Sequence, residues 1–214
     1  MDVLYIIGRG IIFFSIAFLV VGLLANLFQR TNSYNKYVVY YLSVVLLTEC
    51  TVLFTGVYLE WNFLALFTIS FFTHFIFLTH FYNKTIFQFS TTRRNLLLAL
   101  GVIPLFVHCT TDSSLVWLQY YARIPYSLII SLYSLGYFYA LMIGKLENRP
   151  VRNLFNGSIL LFFTIDAFLG TGTAYLVKRE YLDLVAWFWF FRAIFLQFFY
   201  GALIYYGWKQ PKEI

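Results

Sequence analysis

The sequence is poor in charged residues. Only 11% of its 214 residues are Asp, Glu, Lys or Arg, whereas 61% are hydrophobic and 23% are aromatic. A water-soluble domain of this length cannot hide so much apolar surface, because even a compact monomer exposes much of its surface and large apolar patches aggregate. The composition therefore predicts an integral membrane protein whose first partner is the lipid bilayer.

Cysteine is also scarce, and basic residues do not cluster. Cys50 and Cys109 lie in separate apolar runs, which gives neither a disulfide framework nor a metal-binding spacing. The 15 Lys and Arg residues exceed the 9 acids, but they lie between apolar runs and not on one soluble face. This distribution indicates membrane orientation, so we expect no nucleic-acid partner.

Two further absences exclude known classes of seven-helix membrane protein. Retinal proteins attach their chromophore to a lysine inside the last helix, and the last apolar run contains none. Zinc-binding helices place two histidines one turn apart, whereas His74 and His80 are six residues apart. We therefore expect no cofactor and no metal.

Apolar runs of about twenty residues predict helices that cross the bilayer, because lipid leaves backbone polar groups to be satisfied within their own segment. The runs do not alternate polar and apolar residues as barrel strands do. We predict an all-α integral membrane protein, a single domain of residues 1–214 with a seven-helix transmembrane bundle. The predicted helices are residues 10–28, 34–59, 61–82, 96–109, 124–143, 151–177 and 182–208, with an interfacial segment at residues 113–121.

Local signals refine the fourth and fifth helices. Pro104 lacks a backbone N–H and is expected to kink the fourth helix. Asp112 is a suitable N-cap for the interfacial segment. Its aromatic side chains favour the headgroup level, and we assign Trp117, Tyr120, Tyr121 and Arg123 to it. Pro125 suits the first turn of the fifth helix.

The distribution of basic residues predicts the orientation. With seven spans, ten Lys and Arg residues fall on one side and four on the other. The positive-inside rule then places the N-terminus outside and the C-terminus in the cytoplasm. We expect the first helix to be retained rather than cleaved as a signal peptide. The bias toward Phe, Tyr and Ile is compatible with a bacterial inner (plasma) membrane.

Two charges lie inside the last two apolar runs. Asp166 lies twelve residues before Lys178, and Arg192 lies nine after Asp183. At about 1.5 Å rise per residue, both lie about 14 to 18 Å from the same end of their helices, near the middle of a hydrocarbon layer about 30 Å thick. An unpaired charge there is costly, so we predict that Asp166 and Arg192 pair.

Two more ionisable residues are predicted at the same depth. Glu49 and His74 lie about 16 and 21 Å from the outer side at helical rise. Together with Asp166 and Arg192 they form a predicted ligand-binding or proton-binding site, which Gln197 could extend inward. Two acids, one arginine and a neutral histidine favour a proton acceptor or a cationic ligand. The alternative is that the ion pair only holds two helices together.

The residues around Asp166 and Arg192 support two further hypotheses. The small residues 170–174 allow close helix packing, or alternatively a locally unwound segment beside a pocket. Trp187, Trp189 and Phe195 could stack on a flat or cationic molecule, although aromatic residues are common everywhere in this chain.

Three functions are compatible with these features. The first is a receptor- or sensor-type module that binds a small lipophilic or cationic ligand and signals through a cytoplasmic or membrane protein partner. The second is a small proton-linked transporter, although no internal repeat supports it. The third is a non-catalytic accessory subunit of a larger membrane complex. The connections are too short for catalytic machinery, so we do not expect an enzyme.

Overall fold

The structure is a computed structural model, and it describes residues 2–28, 33–55, 64–110 and 116–209. Within these ranges the chain forms nine α-helices and no strand, which confirms the all-α prediction there. The helices are α1 (Asp2–Phe28), α2 (Ser33–Leu53), α3 (Leu64–Tyr82), α4 (Thr91–Leu100), α5 (Val102–Thr110), α6 (Val116–Tyr121), α7 (Ile124–Met142), α8 (Pro150–Lys178) and α9 (Leu182–Lys209). A π-helical turn, Asn83–Phe87, continues α3.

Four segments are long and apolar enough to cross a membrane, judged by length and composition within the described residues. They are Lys36–Leu53, Gln119–Met142, Pro150–Lys178 and Asp183–Lys209. A shorter apolar stretch, Phe13–Phe28, lies in α1. The chain is a membrane protein, as its composition predicts.

The distribution of polar and apolar side chains supports the same conclusion. Large apolar side chains point outward, and Phe28, Phe168 and Met142 are 83%, 73% and 85% exposed. Polar side chains lie inside, since Ser127 and Asp166 are both 0% exposed. Water would penalise this arrangement, whereas lipid favours it.

Helices α7 and α8 are joined by polar side chains along an antiparallel interface. Three serines of α7, at positions 127, 131 and 134, recur at the spacing of one helix face. Four hydrogen bonds define what we call the hydroxyl ladder: Ser127 to Asp166 (2.8 Å), Thr164 to Ser131 (3.2 Å), Ser134 to the Asn156 carbonyl (2.8 Å) and Tyr137 to Asn153 (2.7 Å). Small hydroxyl side chains allow close helix approach in membranes, and their bonds fix the register of the two helices.

Several predicted helix bounds differ from the structure. Helix α1 begins at Asp2, not at residue 10, so it is longer than its most apolar part. The predicted bounds of the last three helices, 124–143, 151–177 and 182–208, agree with α7, α8 and α9 to within one residue at each end. Residues 56–63, which include the predicted end of the second helix at 59 and the predicted start of the third at 61, lie outside the described residues, as does the predicted cap Asp112.

The fourth helix departs most from the prediction. It begins at Thr91 and not at residue 96, inside the polar connection of residues 83–95. The Ser90 side chain caps it there by accepting a hydrogen bond from the Arg93 N–H (3.4 Å). It breaks at Gly101 and not at Pro104, since Pro104 lies in the first turn of α5, where an N–H would lack an intrahelical partner anyway. A Cβ at Gly101 would lie 2.5 Å from the Phe75 ring, so this break also allows α3 to pack closely.

The small residues 170–174 do not unwind their helix. Helix α8 is continuous from Pro150 to Lys178, so the hypothesis of a locally unwound segment is wrong. Close packing is the correct alternative, because a Cβ at Gly172 would lie 2.4 Å from the Phe188 ring of α9. Pro125 lies in the first turn of α7, as predicted.

Replacing Gly207 with alanine is expected to destabilise the contact of α9 with α1 and α2. A Cβ there would lie 2.2 Å from Asn26 Oδ1 and 2.6 Å from Val38 Cγ1, both on buried residues. Overpacking of this kind costs about 1–3 kcal/mol. Thermal unfolding in detergent measures the loss. Gly157→Ala in α8 is the matched control, because its Cβ meets nothing within 4 Å. Equal unfolding midpoints for the two variants would contradict this packing.

Candidate functional site

The centre of the candidate site is a buried ion pair between α8 and α9. The Arg192 Nε–H donates a hydrogen bond of 2.6 Å to Asp166 Oδ1. The Ser127 hydroxyl of α7 donates to the other carboxylate oxygen, Oδ2, at 2.8 Å. Asp166 is 0% and Arg192 7% exposed. The pairing predicted from matching helix depths is confirmed, and the hydroxyl ladder adds a third helix to it.

Aromatic rings surround the Arg192 guanidinium. Its central carbon lies 5.2 Å from the Phe71 ring centroid, 5.3 Å from that of Trp189 and 5.7 Å from that of Phe162. These distances are within the range of cation–π attraction, which is strongest where water is excluded. The rings thus replace part of the hydration that the cation loses on burial.

A second buried arginine lies beside this pair. Arg123, in the turn between α6 and α7, is 3% exposed. Its guanidinium carbon lies 5.0 Å from the Trp189 centroid and 5.8 Å from that of Phe71, the same two rings that contact Arg192. Arg123, which the sequence prediction assigned to the interfacial segment, is therefore buried inside the bundle, one turn before Ser127 on the same face.

Arg123 lies against α8 at Gly170. Gly170 lies one helical turn after Asp166, and a Cβ built on it would lie 3.5 Å from Arg123 Nε. Ser127–Asp166 is the last pair at this end of the hydroxyl ladder, and Arg123–Gly170 continues the same antiparallel register by one more turn. The serine spacing of α7 was the sequence signal that could have located Arg123, since position 123 lies one turn before Ser127 on the same face.

His74 lies beside Phe71, the ring that also contacts Arg192 and Arg123. It is 2% exposed, and its Nδ1 shares a hydrogen bond of 2.6 Å with the Tyr41 hydroxyl of α2. The rings of Phe163 and Phe199 lie edge-on to it, with centroids at 5.9 and 5.7 Å. These contacts give the imidazole one polar partner inside an aromatic environment.

Glu49 is connected to His74 through one side chain. The Tyr200 hydroxyl of α9 donates a hydrogen bond of 2.8 Å to Glu49 Oε1, and the Tyr200 ring lies 6.4 Å from the His74 ring. Glu49 is half-buried. Glu49, Tyr200, His74 and Tyr41 therefore form a row of titratable groups, which we call the tyrosine–histidine row.

The structure thus divides the predicted site into two parts. Asp166 and Arg192 bond directly, whereas Glu49 and His74 belong to the tyrosine–histidine row, and the two parts meet at Phe71, whose ring lies 5.2 Å from the Arg192 guanidinium carbon and 6.4 Å from the His74 ring. Gln197 belongs to neither part. Its amide donates to the Ser15 hydroxyl of α1, and it lines an apolar groove of about 270 Å³ between α1 and α9.

The described residues contain no group of three His, Cys, Asp or Glu side chains that could hold a metal ion. His108, in α5, is 5% exposed and shares a hydrogen bond of 3.0 Å with Thr68. This histidine bonds within the helix bundle and lies apart from the ion pair.

No family model, curated protein or solved structure matches this chain.

A double-mutant cycle on Asp166 and Arg192 is expected to be strongly non-additive. Arg192→Ala should cost about 3–5 kcal/mol of folding stability, because it leaves a buried carboxylate without its partner. Asp166→Ala should cost more, since it leaves two neighbouring guanidiniums without a carboxylate. The double variant should lose less than the sum of the single losses. Chemical unfolding in detergent measures each value.

The exposed pair Arg149–Glu147 (2.7 Å) provides the control cycle. Its side chains are 31% and 76% exposed, so alanine substitutions there should cost at most about 1 kcal/mol. Additive losses at Asp166 and Arg192 would contradict an energetic coupling between the two charges.

Proposed function

We propose that this chain is a seven-helix receptor- or sensor-type module that binds a small molecule at its buried polar centre and signals through a protein partner. In this proposal α4 and α5 together form the fourth span, while α6 leads into the fifth. The N-terminus lies outside and the C-terminus in the cytoplasm, in a bacterial inner membrane.

The distribution of helices and charges supports this topology. α4 and α5 together have nineteen residues, which at about 1.5 Å per residue approaches the thickness of a hydrocarbon layer of about 30 Å. The turn between α7 and α8 carries Lys145 and Arg149 and lies on the side predicted to be cytoplasmic. Basic turns of this kind are suitable contacts for an acidic partner surface.

The two native cysteines make the topology testable. In a Cys50→Ser background, Cys109 at the end of α5 should react with a membrane-impermeant maleimide applied to intact cells. A Ser90→Cys variant that lacks both native cysteines should react only after permeabilisation, because Ser90 precedes α4 on the opposite side. The reverse pattern would invert the orientation, and equal labelling of both sites from outside would exclude this fourth span.

The observation that carries the ligand-binding proposal is the composition of the buried centre. One carboxylate and two guanidiniums lie together beside Trp189, and all three charged side chains are at least nine-tenths buried. Holding two helices together requires one pair of charges, and a second buried cation adds desolvation cost without strengthening that pair. Buried charge beyond the needs of packing is typical of a functional site in a membrane protein.

The tyrosine–histidine row favours a second candidate, a proton-linked transporter. Its groups join α2, α3 and α9 through the Tyr41–His74 and Tyr200–Glu49 hydrogen bonds. Such rows can relay protons when they connect with water on both sides. The accessory-subunit hypothesis has no comparable observation in its favour.

Retention of a small molecule tests the receptor proposal. Protein purified from native membranes should retain a molecule in near-stoichiometric amount, detected by native mass spectrometry and by extraction. The charge-neutral Asp166→Asn/Arg192→Gln variant should lose it, because the buried charges that bind it are gone. The Glu147→Gln/Arg149→Gln variant should keep it, since that pair is exposed.

Three results would contradict the receptor proposal. One is an identical set of retained molecules in the wild type and in both variants. Another is a pH-driven flux into liposomes that disappears in His74→Phe, which would favour the transporter. Stoichiometric recovery with another membrane protein, and no retained small molecule, would favour the accessory subunit.

A further inference from the structure

Arg123 changes the charge of the buried centre. The expectation of a cationic ligand counted two acids against one arginine and did not include this residue. Asp166 is bonded to Arg192 and Ser127, and Glu49 is bonded to Tyr200 of the other part of the interior. The side chains around Trp189 therefore include two guanidiniums, and among the described residues Asp166 is the carboxylate that bonds to one of them.

Arg123 also has unused hydrogen-bonding capacity. Among the described residues, its buried Nε has no hydrogen-bond partner, and no carboxylate lies within 4.0 Å of its guanidinium. A buried N–H without an acceptor is expensive, and the aromatic rings around Arg123 supply attraction but accept no conventional hydrogen bond. The Arg123 Nε–H is therefore a donor for which the described residues supply no acceptor.

Arg123 and Arg192 are arranged around the same rings. Their guanidinium carbons lie 5.0 and 5.3 Å from the Trp189 centroid, and 5.8 and 5.2 Å from that of Phe71. Two guanidiniums that share ring neighbours can act on one ligand group. Their planar forks match the oxygens of a carboxylate or a phosphate.

The surroundings of the two arginines indicate what the rest of the ligand is. Both guanidiniums lie against the rings of Phe71 and Trp189, so a molecule that reaches them also meets apolar side chains. An apolar chain would gain these contacts, whereas a wholly water-soluble anion would lose its hydration with less in return.

We propose that Arg123 and Arg192 together bind the oxyanion head, carboxylate or phosphate, of an amphiphilic molecule that enters from the lipid. This inference rests on the proposed ligand-binding function and specifies its chemical class. Arg123 is then a ligand-binding residue, and Asp166 orients Arg192 for the same head group.

Thermal unfolding of the purified protein in a nonionic detergent tests the proposal with four probes. They are dodecanoate, neutral dodecanol, dodecylammonium and inorganic phosphate. Dodecanoate at about 100 times its Kd should raise the midpoint by about 5–10 °C, because a ligand bound only to the folded state stabilises it. Dodecanol and dodecylammonium should not raise it. A shift with inorganic phosphate alone would overturn the amphiphile and point to a soluble anion.

Variants connect this shift to the named residues. Arg123→Gln should abolish the dodecanoate shift, whereas Arg179→Gln, an exposed arginine after α8, should keep it. If Arg123→Gln does not fold, Arg123→Lys takes its place, with a shift at least halved because the planar fork is lost. A full shift in either Arg123 variant overturns the proposal. The proposal is also overturned if dodecanoate raises the unfolding midpoint of the Asp112→Asn variant but not that of the wild type. The carboxylate of Asp112 would then be the anion that the arginines bind.

The same probes separate this proposal from the one on which it rests. Stabilisation by dodecylammonium and not by dodecanoate would overturn the anionic class while leaving a ligand site at the buried centre. Failure of all four probes, combined with identical retained molecules in the wild type and the Asp166→Asn/Arg192→Gln variant, would overturn both.

Discussion

Charge inside a lipid-embedded helix bundle has to be compensated within the bundle, because hydrocarbon offers neither ions nor water. This constraint connects α7, α8 and α9. Asp166 can remain in the interior because Arg192 and Ser127 both donate to it, and these donors come from the two helices on either side of α8. The same constraint makes Arg123 informative, since its charge enters the same region with fewer partners among the described residues.

Aromatic side chains provide most of the surroundings in which these charges lie. Rings contact Arg192, Arg123 and His74, and the Phe71 ring lies beside all three. A ring attracts a cation through its face and still packs like a hydrocarbon. The high aromatic content of the sequence, 23%, therefore has a structural use here, because it fills the core while partly replacing water around buried cations.

The sequence was sufficient for the helical class and for the Asp166–Arg192 pair, because both follow from one-dimensional quantities, hydropathy and depth along a helix. It was not sufficient for the grouping of Glu49, His74 and Gln197, since residues at equal depth can face different neighbours. Gln197 faces α1, and only the rotation of α9 about its own axis determines that. The burial of Arg123 was not predicted for a related reason, because a basic residue among aromatics near a helix start is usual at an interface, and its contact with α8 at Gly170 exists only in three dimensions.

The antiparallel contact between α7 and α8 restricts how this molecule can move. Hydroxyl and amide groups repeat along it from Ser127 to Tyr137, so a shift of one helix along the other by a single turn would break every one of these bonds at once. The α7–α8 interface therefore resists sliding of one helix along the other, whereas the two helices can tilt together without breaking these bonds. Any rearrangement that begins at Arg192 would thus displace α9 against the α7–α8 pair, to which it is joined by the three-residue connection 179–181.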